Sequence, residues 1–473
     1  MQNLQHYSWG GSKNSLVGGG RTGTFGPRIY QNTLMKTTQI VLLGGGYTTL
    51  WAYRSLVNKL RKEIDRDEVR LVVVCPEDHH YFHGWTAESL TGIVQNENRM
   101  SPLEEMLDKA TLVKGFVVEI DPVNREIQVN MDCGLQCVHY DHLLIGMGSF
   151  DSEQIAGVKR HGYQVKSDTA FLRTQHDIRA LVSRAAQCGR PEAERLLRIS
   201  VCGAGFTGVE LVTNIAEFIS VLKAQYPSLS SVKPTIRLIH SKSTILEALP
   251  SSLTRMRKYA EKVMRQYGIE VILNRRVTEI AADGIFLDDH SFLPGSMVIS
   301  TSGQSRVNLK GTESMRRDSL GRICANRFLQ IEGHGNIWGG GDACSVPYLG
   351  TSTPCVPNAL WAMKHGEYAA ANIARTLRGQ PLRPFTYRGL GQCASLGIGK
   401  GIGELYGLEF TGWSAWIMRW FFFNYFMPSR AVMRREIADW MHLLLTGKRK
   451  GLVGAVQTFV NSIPAAAWRP EAA

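Results

Sequence analysis

The chain has no uncharged apolar run of about 18 residues or more, the length a helix needs to cross a bilayer, so a spanning helix is not expected. Its start lacks the apolar core that marks a secretory signal. Asp and Glu are missing altogether from residues 1–34, a stretch rich in Gly, Ser and Asn. That stretch reads as a disordered tail, as an extension ahead of a start at Met35, or as an organellar presequence. No two cysteines have C-x-x-C spacing. The nine, at 75, 133, 137, 188, 202, 324, 344, 355 and 393, are odd in number and irregularly placed, which argues against a disulfide framework and for reduced thiols. There is no zinc-ligand pattern and no aromatic–basic RNA-reading motif, so no nucleic acid partner is expected. His79, His80 and His83 follow a strand at spacings that do not share one face. They read as loop residues near a cofactor, and no metal site is expected.

What is present points to nucleotides. The 473 residues are too many for one core, and 47 glycines supply the tight turns of nucleotide folds. A net charge of +13 and a pI near 9.3 favour an anionic partner, either a nucleotide or an acidic membrane face.

The apolar run 197–202 leads into Gly203-Ala-Gly205-Phe-Thr-Gly208-Val-Glu210 and then a helical pattern. This is G-x-G-x-x-G between strand and helix. The first glycine makes the turn, the second lets backbone approach a pyrophosphate, and the third lets helix pack on strand. A second version, Gly44-Gly45-Gly46-Tyr-Thr-Thr49, follows the run 39–43 near the start. There Thr49 replaces the third glycine and adds bulk between helix and strand. The next strand, 69–74, ends in Cys75 where an acid would bind the adenosine ribose, with Glu77 and Asp78 just beyond. Residues 111–121 and 126–131 read as a β-hairpin insertion, and 140–148 as a strand ending at Gly148. Between 161 and 314, helix 173–186, the glycine turn, strands 235–240 and 270–273, and 297–300 leading to Gly303 alternate as in a parallel doubly wound sheet. Gly341-Asp342 ends a late strand before a helix, where an Asp can accept a ribityl hydroxyl or cap the helix. Two dinucleotides with electron transfer between them follow as the working expectation.

The order of these pieces resembles the type II NADH dehydrogenases (NADH:quinone oxidoreductases) among the two-dinucleotide-binding-domain flavoproteins. The pieces that carry the resemblance are 41–46, 82–92, 140–148, 203–210, 321–323, 335–343 and 366–369, within residues 37–447. The resemblance implies an α/β fold with two Rossmann-like domains. An FAD domain of residues 35–160 and 315–385 would be split around an NAD(P)H domain of residues 161–314. It implies that Gly44, Gly45 and Gly46 meet the FAD pyrophosphate, that Gly148 lies near the flavin, and that Gly341 and Asp342 hold the ribityl chain. Gly203, Gly205, Gly208 and Gly303 would meet the nicotinamide cofactor, and Glu210 would help orient the hydride donor.

Two departures stand out. His240, Ser241 and Lys242 occupy the place of the acid that favours NADH, so NADPH is expected to be accepted at least as well. Leu360 and Met363 or Lys364 stand where the family places quinone-lining glutamines. Lys364 is a candidate catalytic group toward the flavin or a quinone carbonyl, or else a solvated helix lysine. Cys355 lies where sulfide:quinone oxidoreductases carry one redox cysteine, but no partner cysteine follows the first domain's return strand; Cys188 is the first.

Residues 386–473 read as a C-terminal amphipathic helical segment. Trp413, Trp416 and Trp420 share a helical face, and Met433, Ile437, Trp440, Met441 and Leu444 form a stripe with Arg434, Arg435 and Asp439 away from it. From 413 onward, eight Lys/Arg outnumber three Asp/Glu. Such helices suit the plane of a bilayer interface; the alternatives are a pair docked on the core or a homodimer contact. The expected protein is a peripheral enzyme on the cytoplasmic face of a membrane, or of an organellar inner membrane if 1–34 is a presequence. It would pass hydride from NAD(P)H to FAD and electrons to a quinone. The alternatives are a soluble flavoprotein reductase, a sulfide:quinone-type enzyme, and a flavin scaffold of low turnover.

Overall fold

A computed structural model describes residues 37–450, apart from positions 307 and 352. The tail or presequence at 1–34, and Arg469 and Glu471 of the C-terminal charge tally, lie outside the described residues.

The first sheet begins with β1 (Thr38–Leu43), a run of aliphatic residues buried at its C-terminal end. Such two-sided burial suits a parallel strand covered by helices on both faces. Helix α1 (Tyr47–Lys59) follows, then β2 (Val69–Cys75), β3 (Ala110–Lys114) and β4 (His142–Ile145). Ala110–Lys114 pairs parallel with β2, so it belongs to this sheet and not to the expected hairpin. The insertion is a three-stranded antiparallel sheet of Phe116–Asp121, Glu126–Met131 and Gly134–His139.

The chain then crosses to a second sheet. Helix Asp168–Ala185 starts five residues before the expected boundary, where the Ser167 hydroxyl caps it. Strand β5 (Arg198–Cys202), helix α2 (Phe206–Lys223), β6 (Thr235–Ile239), β7 (Glu270–Ile272) and β8 (Met297–Ser300) form a parallel sheet of order β7-β6-β5-β8. A small antiparallel sheet over 277–294 interrupts the crossover before β8. On its return the chain adds β9 (Ile337–Gly339) beside β4 and completes the order β9-β4-β1-β2-β3. Each sheet has its own apolar core, and the first takes strands from before and after the second.

Helix α3 (Ala359–Leu377) crosses α1 at backbone contact. A Cβ on Gly366 would stand 2.1 Å from the Thr48 carbonyl oxygen, so only glycine permits this crossing. The 391–411 region is not helical. Strands β10 (Gly391–Ser395), β11 (Gly401–Leu405) and β12 (Leu408–Thr411) form an antiparallel sheet. Helices α4 (Trp413–Phe426) and α5 (Arg430–Thr446) follow and pack on Phe82, Trp85, Ile93 and Val94. Among the described residues no helix is long and apolar enough to cross a membrane.

Candidate functional site

Both glycine turns have the conformation that the nucleotide pattern demands. Gly44 (φ +96°) and Gly203 (φ +105°) are in the left-handed region. A Cβ on Gly44 would meet the Gly146 oxygen at 2.9 Å, and one on Gly208 would meet the Gly203 oxygen at 1.7 Å. At Gly205 a Cβ would meet nothing within 4 Å. That opening is the kind of space through which a phosphate reaches backbone. Gly46 and Gly205 cap α1 and α2 with no side-chain hydrogen bond, leaving the first N–H groups and the positive dipole end free for an anion.

Thr49 does not spoil the first turn. Its hydroxyl donates to the Leu43 carbonyl at 3.0 Å in the buried helix–strand contact. The space comes from Gly146, just past the end of neighbouring strand β4, where a Cβ would stand 2.7 Å from the Thr49 oxygen.

A single cavity of about 1090 Å³ joins these pieces. Gly44, Gly45, Gly46, Gly148, Asp342, Gly303 and Glu210 line it; Gly203, Gly205, Gly208 and Gly341 do not, and the second turn reaches it through Phe206 and Thr207. Glu77 lines it as well, whereas Asp78 pairs with Lys114 at 2.6 Å, so of the two acids beyond β2 only Glu77 faces the cavity. Asp342 is fixed by both interdomain crossings. It accepts from Ser149 at 2.8 Å and Gln304 at 3.4 Å, lies 3.6 Å from the Lys166 ammonium, and its backbone oxygen accepts from Arg306 at 3.0 Å. Lys166 also bonds Ser149, and burial pulls its pKa down. A single 3-10 turn, Gly341–Ala343, follows β9, and the next long helix starts only at Ala359, so no helix N-terminus stands directly behind Asp342. The Gly341 N–H donates to His365 at 3.1 Å.

Glu210 stands four-fifths buried on the cavity wall. It accepts from the Ser395 N–H at 2.7 Å and pairs with Arg419 at 3.1 Å. Arg419, almost wholly buried, also donates to Glu88 at 2.6 Å and to the Gly84 carbonyl at 2.8 Å, and covers the Phe423 ring at 4.3 Å. Burial raises the Glu210 pKa to about 7; Arg419 opposes the rise and Glu88 adds to it. One cation thus serves two carboxylates from two domains. In the sequence Arg419 counts only as one of the eight basic residues of the C-terminal segment; the signal for its role is a lone charge within Trp-Ile-Met-Arg-Trp-Phe-Phe-Phe.

Other candidates lie elsewhere. Lys364 does not line the cavity and pairs with Glu367 at 2.7 Å, an ordinary helical ion pair. Its neighbours Ala359, Leu360 and Met363 do line the cavity, as do Met418, Phe422, Phe423 and Phe426 of α4. This wall is apolar where the resemblance implied amides. His240 and Lys242 stand beyond β6, outside that cavity; the His240 ring accepts from the Ala204 N–H at 3.3 Å. His80 faces the cavity with its Nδ1 2.9 Å from the Gly45 carbonyl, and burial lowers its pKa to about 4. Among the described residues no cluster of His, Cys, Asp or Glu has the arrangement of a metal site.

The stripe expected on α5 is split: Trp440 is buried, Met433 and Ile437 are half-buried, and Asp439, expected away from it, is buried as well. Glu436 and Asp439 are fully buried, while Met441 and Leu444 are exposed. Asp439 repays its burial with bonds from the Gln95 N–H and the Gln95 and Asn98 side chains, and an ion pair to Lys450.

The first glycine turn and Phe206 and Thr207 of the second border one cavity with an anchored Asp between two parallel sheets, the arrangement of a nucleotide-dependent oxidoreductase. The chain belongs to the pyridine nucleotide-disulphide oxidoreductase family, whose model matches residues 38–366. It is similar to the type II NADH:quinone oxidoreductase of Staphylococcus saprophyticus, 28% identical over 388 residues, covering 80% of this chain and 93% of that one. The Staphylococcus aureus protein of the same name is 27% identical over 394 residues, with the same coverage. Among solved structures, NDH2 from Plasmodium falciparum in complex with NADH matches with a TM-score of 0.77 at 15% identity, over 87% of this chain and 99% of that one. The sulfide:quinone oxidoreductase of Aquifex aeolicus matches with a TM-score of 0.64 at 16% identity, over 88% and 96%. All nine cysteines here are free; Cys355 is buried with its thiol pKa pushed up to about 12, and Cys188 is exposed.

Proposed function

We propose that this protein passes reducing equivalents from a nicotinamide dinucleotide, NADPH as well as NADH, through FAD to a quinone at a membrane surface. The observation that carries the reading is the single cavity, which runs from the first glycine turn past Glu210 to the aromatic helix α4. The residues fit a flavin dinucleotide: Gly46 offers free helix N–H groups, Glu77 an acceptor at the adenosine end, and Asp342 a fixed acceptor further along. When bound, the flavin supplies hydride acceptance and two-electron donation. The protein's part is to orient and to exclude water. Glu210, held by Ser395 and Arg419, keeps one wall polar where the nicotinamide end would enter. Leu360, Met363 and Phe422 make the other wall apolar, which suits an isoprenoid-bearing acceptor.

The exposed Trp413, Phe421 and Tyr425 of α4 support a seat at a lipid interface, near the cavity mouth built by the same helix. The experiment is anaerobic titration of the purified yellow protein. Bleaching by NADH or NADPH, and return of colour on adding a short-chain quinone, is the expected result. Flavin that neither nucleotide bleaches ends the reading, and bleached flavin that oxygen but no quinone reoxidises ends its acceptor half.

A further inference from the structure

We propose that the ends of β6 and β7 form a subsite for the 2′-phosphate of NADPH, with Lys242 and Arg275 as its cations, a proposal that rests on the nicotinamide-domain reading above. In a doubly wound sheet the residue that ends the second strand stands beside the adenosine ribose, where an acid takes the 2′-hydroxyl. Here that strand is β6, and it ends without an acid at Ile239-His240-Ser241-Lys242. Parallel pairing of β6 with β7 carries the segment after Ile272 to the same edge. Two backbone bonds tie the segments together: the Arg275 N–H donates to the His240 carbonyl at 3.1 Å, and the Asn274 N–H donates to the Lys242 carbonyl at 3.0 Å. Lys242 and Arg275 therefore leave one small, fixed stretch of backbone, and both side chains are about half exposed.

His240 itself supplies no charge. Burial lowers its pKa, and its Nδ1 accepts from the Ala204 N–H. The proton is then on Nε2, which has no acceptor among the described residues. The charge must come from the two cations. Their present partners are exposed carboxylates, Glu247 at 3.8 Å from Lys242 and Asp289 at 2.7 Å from Arg275. Exposed pairs of this kind contribute little and exchange readily for a phosphate, which brings nearly two negative charges and three acceptor oxygens. A bare 2′-hydroxyl finds no acid at the end of β6 and gives two cations nothing to neutralise.

The test is calorimetric binding of 2′,5′-ADP and 5′-ADP to the purified full chain. These probes carry the adenosine end without nicotinamide. The proposal expects 2′,5′-ADP to bind about tenfold tighter or more, with an advantage that shrinks in high salt. The double variant K242A/R275A removes the advantage and leaves 5′-ADP affinity unchanged. Both residues are on the surface, so an unshifted melting temperature checks that the variant folds. Equal or tighter binding of 5′-ADP to the unaltered protein overturns the proposal, as does a double variant that keeps the preference. If NADH still bleaches the flavin in that case, only the subsite falls. If neither probe binds and neither nucleotide bleaches, the nicotinamide site falls with it.

Discussion

Arg419 lies 3.1 Å from Glu210 and 2.6 Å from Glu88, so one guanidinium from the C-terminal helices ties a carboxylate of the second domain to one of the first. Its removal is expected to cost about 3–5 kcal/mol, because two buried carboxylates then face each other without a cation. R419M, followed by urea unfolding, measures that loss. Arg419 also holds the Glu210 pKa down toward about 7, so without it the pKa moves higher. The pH profile of flavin bleaching by NADH or NADPH should shift to higher pH in R419M and less so in R419K. An unmoved profile would separate Glu210 from the hydride step.

Glu436 is fully buried, and burial raises its pKa to about 8, with Glu88 and Asp439 adding to the rise and Trp440 and Asn424 opposing it. The folded protein keeps this proton when the unfolded chain, at an ordinary carboxylate pKa, has lost it. The favourable contribution is full below pH of about 4.5 and is lost as pH rises through about 8, a swing on the order of a few kcal/mol. E436Q should flatten that part of the stability-against-pH curve and should be no less stable than the parent at pH 9. Chemical denaturation at a series of pH values checks it.

Gly205 and Gly208 should fail differently. At Gly205 a Cβ meets open space, so G205A keeps its melting temperature and loses dinucleotide affinity. At Gly208 the Cβ would overlap the Gly203 oxygen, so G208A destabilises by about 1–3 kcal/mol or more. Thermal melts beside 5′-ADP binding distinguish the two.

Trp413, Phe421 and Tyr425 are exposed and do not line the cavity. Replacing all three with serine should lower partition onto anionic vesicles by about a hundredfold while flavin bleaching is unchanged. Retained sedimentation with vesicles would move the membrane contact elsewhere.

The parts of this protein that obey a local period were readable from its letters. The strand–glycine–helix units at 44 and 203 were legible because turn geometry, phosphate access and helix packing each demand a residue type at a fixed offset. The Arg419–Glu88–Glu210 assembly was not, since its members come from three distant segments and nothing local marks them as partners. The burial of Asp439 on α5 was illegible for a related reason: apolar spacing groups Trp440, Met441 and Leu444, but the three donors that satisfy Asp439 come from Gln95 and Asn98, far away in the chain. For Lys364 the sequence leaves a catalytic group and a solvated helix lysine both open, and its pairing with Glu367, one turn along, favours the second.

The contact between Thr49 and Gly146 reaches beyond this one turn. The nucleotide fingerprint is usually read as letters in a row, yet the helix and the sheet compete for a fixed volume. Here the side chain sits on the helix and the vacancy just past a strand about a hundred positions away. Substitution at either position alone should be costly and a paired exchange cheap. The two sites should therefore drift together among descendants of this chain, a correlation that a scan for the third glycine never sees.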